Sequence, residues 1–83
     1  MKSNGKIQLI EWLLEALQAL NGRASIVDIC KYVWEKHETD LRNSGDLFYT
    51  WQYDIRWAAT QLREEGKIKP ESVSPKGIWE LSN

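Results

Sequence analysis

Residues 47–81 read LFYTWQYDIRWAATQLREEGKIKPESVSPKGIWEL, and the change of rhythm inside this stretch decides the fold. From Leu47 to about Glu65 the apolar residues Phe48, Trp51, Ile55, Ala58, Ala59 and Leu62 recur every three or four positions, the spacing of one buried helix face. Ala58 and Ala59 are small enough for another helix to come close. Asp46 is placed to cap the start of this helix, and Gly66 is placed to stop it. Beyond Gly66 the pattern shortens to extended pieces at 67–69 and 77–81 around a loop at 70–76. Within that loop Ser74-Pro75-Lys76-Gly77 has Pro and Gly where a tight turn wants them. The two pieces predict a β-hairpin, with Trp79 and Leu81 alternating onto a core-facing side.

Upstream, Ser25 with Asp28 three residues later reads as the cap of a second helix. Ile26, Ile29, Cys30, Val33 and His37 follow at helical spacing, and the helix is expected to end near residues 37–39. Residues 40–46, which include Asn43-Ser44-Gly45, read as a loop. A first helix is expected over about residues 6–20. Steps of about 100° per residue put Ile10, Leu13, Leu14, Leu17 and Leu20 on its core face and Trp12, Ala16 and Ala19 on the opposite side. Asn21-Gly22 then ends it.

The fold class expected is therefore mainly α with a small β-hairpin. Three helices followed by a two-stranded wing is the order of a winged helix-turn-helix, a single domain spanning residues 1–83 with its core at about 6–82.

Composition narrows the function. Eighty-three residues form one domain whose folding hides roughly 64% of the unfolded surface, too little core for separate catalytic and recognition domains. Hydrophobic residues at 42% and charged residues at 28% fit an ordered globular chain. Eleven Lys and Arg against twelve Asp and Glu leave a net charge of −1, which excludes a histone-like coater of nucleic acid. Attraction to phosphate then depends on local clustering of cations. No stretch reads as a membrane span or a signal peptide, so a cytoplasmic protein is expected. Cys30 is the only cysteine, which rules out an internal disulfide and a four-cysteine metal site. Five tryptophans (Trp12, Trp34, Trp51, Trp57 and Trp79) are more than one small core readily hides, so some are expected to be partly exposed.

The run Trp51-Gln52-Tyr53-Asp54-Ile55-Arg56-Trp57-Ala58, followed by residues 62–66 (LREEG) and 74–81 (SPKGIWEL), resembles the N-terminal domain of Mrr-type restriction proteins. The likeness covers residues 10–81, and much of its skeleton is core and turn chemistry. It implies a winged-helix fold and a DNA-binding role within modification-dependent restriction. It also implies double-stranded DNA as partner, modified bases included, and either a homodimer or a fused or associated nuclease domain. In that family the nuclease chemistry resides in a separate C-terminal domain, so no catalytic residue carries over.

On the expected third helix, Arg63, Arg56, Tyr49, Thr60, Tyr53 and Trp57 fan over roughly 80° to 200° from Ile55, with Gln52 at the margin. The two guanidinium groups can pair with phosphate or with guanine, and Gln52 with adenine. The aromatics can pack on sugars, thymine methyls or an exposed base. Tyr53 and Trp57, four residues apart beside Arg56, would form an apolar lip suited to a base carrying an extra methyl. The alternatives are that Trp57 folds onto the wing or the first helix and that Tyr49 and Tyr53 cover the loop before the third helix. On the wing, Lys69 and Lys76 would hold phosphate together with Arg63. Arg42 and Asn43 could reach phosphate beside the start of the third helix, against repulsion from Asp46 and Asp54. The DNA-binding set is then Tyr49, Gln52, Tyr53, Arg56, Trp57, Thr60, Arg63, Lys69 and Lys76.

His37 has no partners at metal-ligand spacing and reads as a helix C-terminal imidazole half covered by the core. Cys30 reads as a small buried hydrophobe. No carboxylate pair has an acid–base context, so an enzyme, a metal site and a cofactor are not expected. A protein-association module with Tyr49, Tyr53, Trp57 and Trp12 at its interface is the rival reading, because Tyr and Trp anchor such patches.

Overall fold

Asn21 adopts a left-handed φ of 68°, and this one residue ends the first helix. The Gly22 amide reaches back to the Leu17 carbonyl and the Asn21 amide to that of Gln18, the paired bonds of a Schellman motif. The computed structural model describes residues 5–82. Its elements run α1 (Gly5–Ala19), β1 (Arg23–Ser25), α2 (Ile26–Arg42), α3 (Leu47–Glu64) and β2 (Ile78–Glu80). The same C-terminal motif closes α3: the Lys67 amide donates to the Leu62 carbonyl at 2.8 Å and that of Gly66 to Arg63 at 3.0 Å. Gly66 has φ 78°, a conformation that a side chain would strain, so the chain turns back across α3 at this point.

α2 starts as expected, with the Asp28 amide donating to the Ser25 hydroxyl at 3.0 Å. It does not stop at residues 37–39. His37 takes a non-helical φ of −129° and the helix resumes to Arg42, burying Leu41 completely. Leu41 is the physical reason: continuing the helix one more turn places this apolar side chain in the core, worth about 1.5–3 kcal/mol. The expected loop therefore shrinks to residues 43–46. α3 matches expectation to within a residue, with Trp51, Ile55, Ala58, Ala59 and Leu62 buried and Phe48 half-buried. Asp46 occupies the cap position without a side-chain hydrogen bond.

The buried arc of α1 differs from the expected one. Leu9, Trp12, Leu13, Ala16 and Leu17 are buried, whereas Ile10, Leu14 and Leu20 are only partly covered and Ala19 is exposed. Because α1 packs against α3, α2 and β1 together, its covered arc is wider than a single stripe and shifted toward Trp12.

The sheet is two-stranded and antiparallel, but its strands are β1 and β2, in the register Arg23↔Glu80, Ala24↔Trp79 and Ser25↔Ile78. The expected partner, residues 67–69, joins through an isolated bridge between Ile68 and Leu81, flanked by backbone bonds from Lys69 to Glu80 and from Ser82 to Lys67, each 2.9 Å. Three residues that follow Asn21-Gly22, the last of them the helix cap Ser25, carry too little alternation to be read as a strand. They pair because Trp79, 7% exposed, anchors β2 in the core beside them.

Candidate functional site

The outer side of α3 and the segment 69–77 face each other across a groove of about 980 Å3. Arg56, Thr60 and Arg63 line it from α3, Lys69 and Lys76 from the segment, and Ala59 and Trp79 from the core side. Glu71 is, among the described residues, the only one of the twelve acidic side chains that lines it. The groove is therefore a local concentration of cations on a chain of nearly zero net charge.

Short-range chemistry holds the segment in place. Arg63 Nε donates to the Lys69 carbonyl at 3.4 Å, tying α3 to the start of the segment. The Pro70 carbonyl accepts from the Val73 and Ser74 amides, and that of Pro75 from the Ile78 amide at 3.1 Å. Gly77 at φ 79° supplies the positive φ that the third position of a type II turn requires. Glu80 then clasps the segment to the sheet. Its Oε1 accepts from the Ser74 hydroxyl at 2.8 Å and its Oε2 pairs with Arg23 Nε at 3.0 Å.

Five of the nine residues expected to bind DNA line this groove: Arg56, Thr60, Arg63, Lys69 and Lys76. Gln52 lies one turn up α3, where with Arg56 it borders a second, smaller cavity. Tyr49 and Tyr53 stand in solvent at 82% and 76% exposure, so they do not cover the loop before α3. Trp57 turns the other way. It packs partly buried against the core, and Lys6 Nζ of α1 lies 4.8 Å from its ring centroid. The Tyr53–Trp57 pair is thus one exposed ring and one ring turned to α1. Arg42 belongs to α2, pairs with Glu38 at 2.7 Å and lies over the rings of Trp34 and Phe48. Asp54 accepts from Thr50 Oγ1 at 2.7 Å.

Sequence reasoning missed a polar cluster between α1 and α2. His37 stacks on Trp12 with ring centroids 4.2 Å apart, and its Nε2 is 3.0 Å from Glu15 Oε1. Tyr32 donates to the other Glu15 oxygen, also at 3.0 Å. Burial pushes the Glu15 carboxyl up, but the bonds from His37 and Tyr32 outweigh it and leave its pKa below the usual range. The bond to Glu15 holds the Tyr32 phenol above its usual range, with burial adding to it. Residue spacing across two helices carries no signal for such a cluster. Cys30 is only half-buried, against the expectation of full burial. Burial raises its thiol pKa, partly offset by the charge of Arg56.

No described helix is long and apolar enough to cross a membrane. Comparisons with protein-family models, curated proteins and solved structures return no match.

Proposed function

We propose that this chain is a winged-helix DNA-binding domain. In this reading α3 enters the major groove, and residues 67–81 form the wing that rests on the backbone. The observation that carries the reading is the groove between them, where Arg56, Arg63, Lys69 and Lys76 converge with Glu71 as the lone lining carboxylate among the described residues. Gln52, Arg56 and Thr60 are the groups proposed to read base edges, with Tyr53 against sugars or methyls. Arg63, Lys69 and Lys76 neutralise phosphate, and the Arg56 guanidinium, which can pair with a base edge or with phosphate, is the fourth cation of the set. The likeness to Mrr-type restriction proteins extends the proposal: the domain would bring a fused or associated nuclease domain, or a second copy, to double-stranded DNA, modified bases included.

Anisotropy titrations of a labelled duplex across a salt series test it. Log affinity should fall against log salt with a slope of roughly −3 to −4, about −0.9 for each of four phosphate contacts. Lys76→Ala should reduce that slope by about one and weaken all sequences alike. Absence of duplex binding at about 50 mM salt, where such contacts are strongest, would reject the reading.

One observation favours a second reading. Tyr49 and Tyr53 are exposed at 82% and 76% on one side of α3, a pattern suited to a protein interface. Sedimentation or pull-down with Tyr49→Ala and Tyr53→Ala should then lose an association that high salt leaves intact.

A further inference from the structure

Beside the groove, between the first half of α2 and the first half of α3, lies a separate cavity of about 360 Å3. Ile26, Val27, Cys30 and Trp34 of α2 and Trp51 of α3 form its apolar lining, and Lys31, Gln52 and Arg56 complete it. Its volume lies near the lower end of the roughly 300–1,000 Å3 typical of ligand cavities, and a mostly apolar wall with a few polar groups is their usual composition. Among the described residues no carboxylate lines it. Among the described residues Lys31 and Arg56 form no ion pair. The side chains of Lys31, Gln52 and Arg56 also make no hydrogen bond to a described residue. An apolar wall bordered by two unpaired cations and an uncommitted amide fits a flat apolar body that carries acceptor atoms and adjoining negative charge.

We propose that this cavity receives an unpaired nucleobase from the DNA that lies along α3. The proposal rests on the DNA-binding reading above and adds the class of group bound. Arg56, Ile26 and Val27 line both this cavity and the larger groove, so a strand held in one passes the mouth of the other. The base ring contacts Val27, Cys30 and Trp34, the Gln52 amide meets its hydrogen-bonding edge, and Lys31 and Arg56 flank the phosphates on either side. Extruding a paired base costs a few kcal/mol, whereas a base already without a partner costs least, so a bulged duplex is favoured.

Cys30 is a built-in reporter, because its half-buried thiol lines the cavity and is the only thiol in the chain. Its rate of alkylation by iodoacetamide at pH 8.5 is measured for the full chain alone, saturated with a paired duplex, and saturated with the same duplex carrying a single-base bulge. The bulged duplex should slow alkylation several-fold beyond the paired one and bind roughly tenfold more tightly. Lys31 lines this cavity and not the groove, so it meets phosphate only where a nucleotide leaves the stack, and Lys31→Ala should reduce that preference several-fold while paired-duplex affinity stays within about twofold. If both duplexes bind and Cys30 reacts equally in the two complexes, the base site is overturned while DNA binding stands. If neither duplex binds, both proposals fall. Protection by a short acidic peptide with an apolar side chain, and none by the bulged duplex, would assign the cavity to a protein partner.

Discussion

Leu62 is 1% exposed in a core assembled from all three helices and Trp79. Truncating it to Ala removes buried methyl groups that the surrounding helices cannot fully close over, so Leu62→Ala should lose about 2–5 kcal/mol in chemical denaturation. A midpoint equal to the parent's would contradict the packing described for α3. Cys30→Ser should cost far less than it would in a closed core, at most about 1 kcal/mol, because the side chain borders an open cavity where water can solvate the new hydroxyl. Several single residues were legible before the structure: the Ser25 cap, the Gly66 stop and the buried stripe from Trp51 to Leu62. Trp57 was not, since its angle on the helix permits either solvent or a neighbour. The position of α1 and of Lys6 decides between them.

Among the elements, α1 and α2 are joined by more than apolar packing. Glu15 takes hydrogen bonds from Tyr32 and from His37 at the kink of α2. The folded carboxyl has a lowered pKa, so its contribution is complete above the unfolded value and is lost as pH falls through the folded one. The Tyr32 phenol has a raised pKa, so its contribution is complete below the unfolded value and fades as pH rises through the folded one. Thermal melts should therefore weaken at the acid end through Glu15 and at the alkaline end through Tyr32. Glu15→Gln should flatten the acid limb and Tyr32→Phe the alkaline limb. Unchanged limbs in these variants would mean that other groups dominate. The segment 69–77 depends on a smaller clasp. Ser74→Ala removes the bond to Glu80, so amide exchange over residues 70–77 should speed up and the melting temperature should fall by no more than about 4–8 °C, since one such bond is worth about 1 kcal/mol. Exchange rates equal to the parent's would show that the backbone turns alone hold the segment.

Across the whole molecule, the near-zero net charge conceals an uneven distribution. The cations that α3 and the segment 69–77 bring to one groove are far apart in sequence, with Arg56 and Lys76 twenty positions from each other. By itself the sequence determined three helices, their approximate starts, the stops of α1 and α3, and the exposed polar side of α3. These follow from periodicity, caps and left-handed stops, which act over a few residues. Only the tertiary structure decided the rest: which arc of α1 is covered, that α2 continues past His37 to bury Leu41, that β1 pairs with β2, and that Glu15 joins Tyr32 and His37. Each of these is a contact between distant segments. Its free energy comes from excluding water, or from hydrogen bonds, between surfaces that local spacing does not bring together.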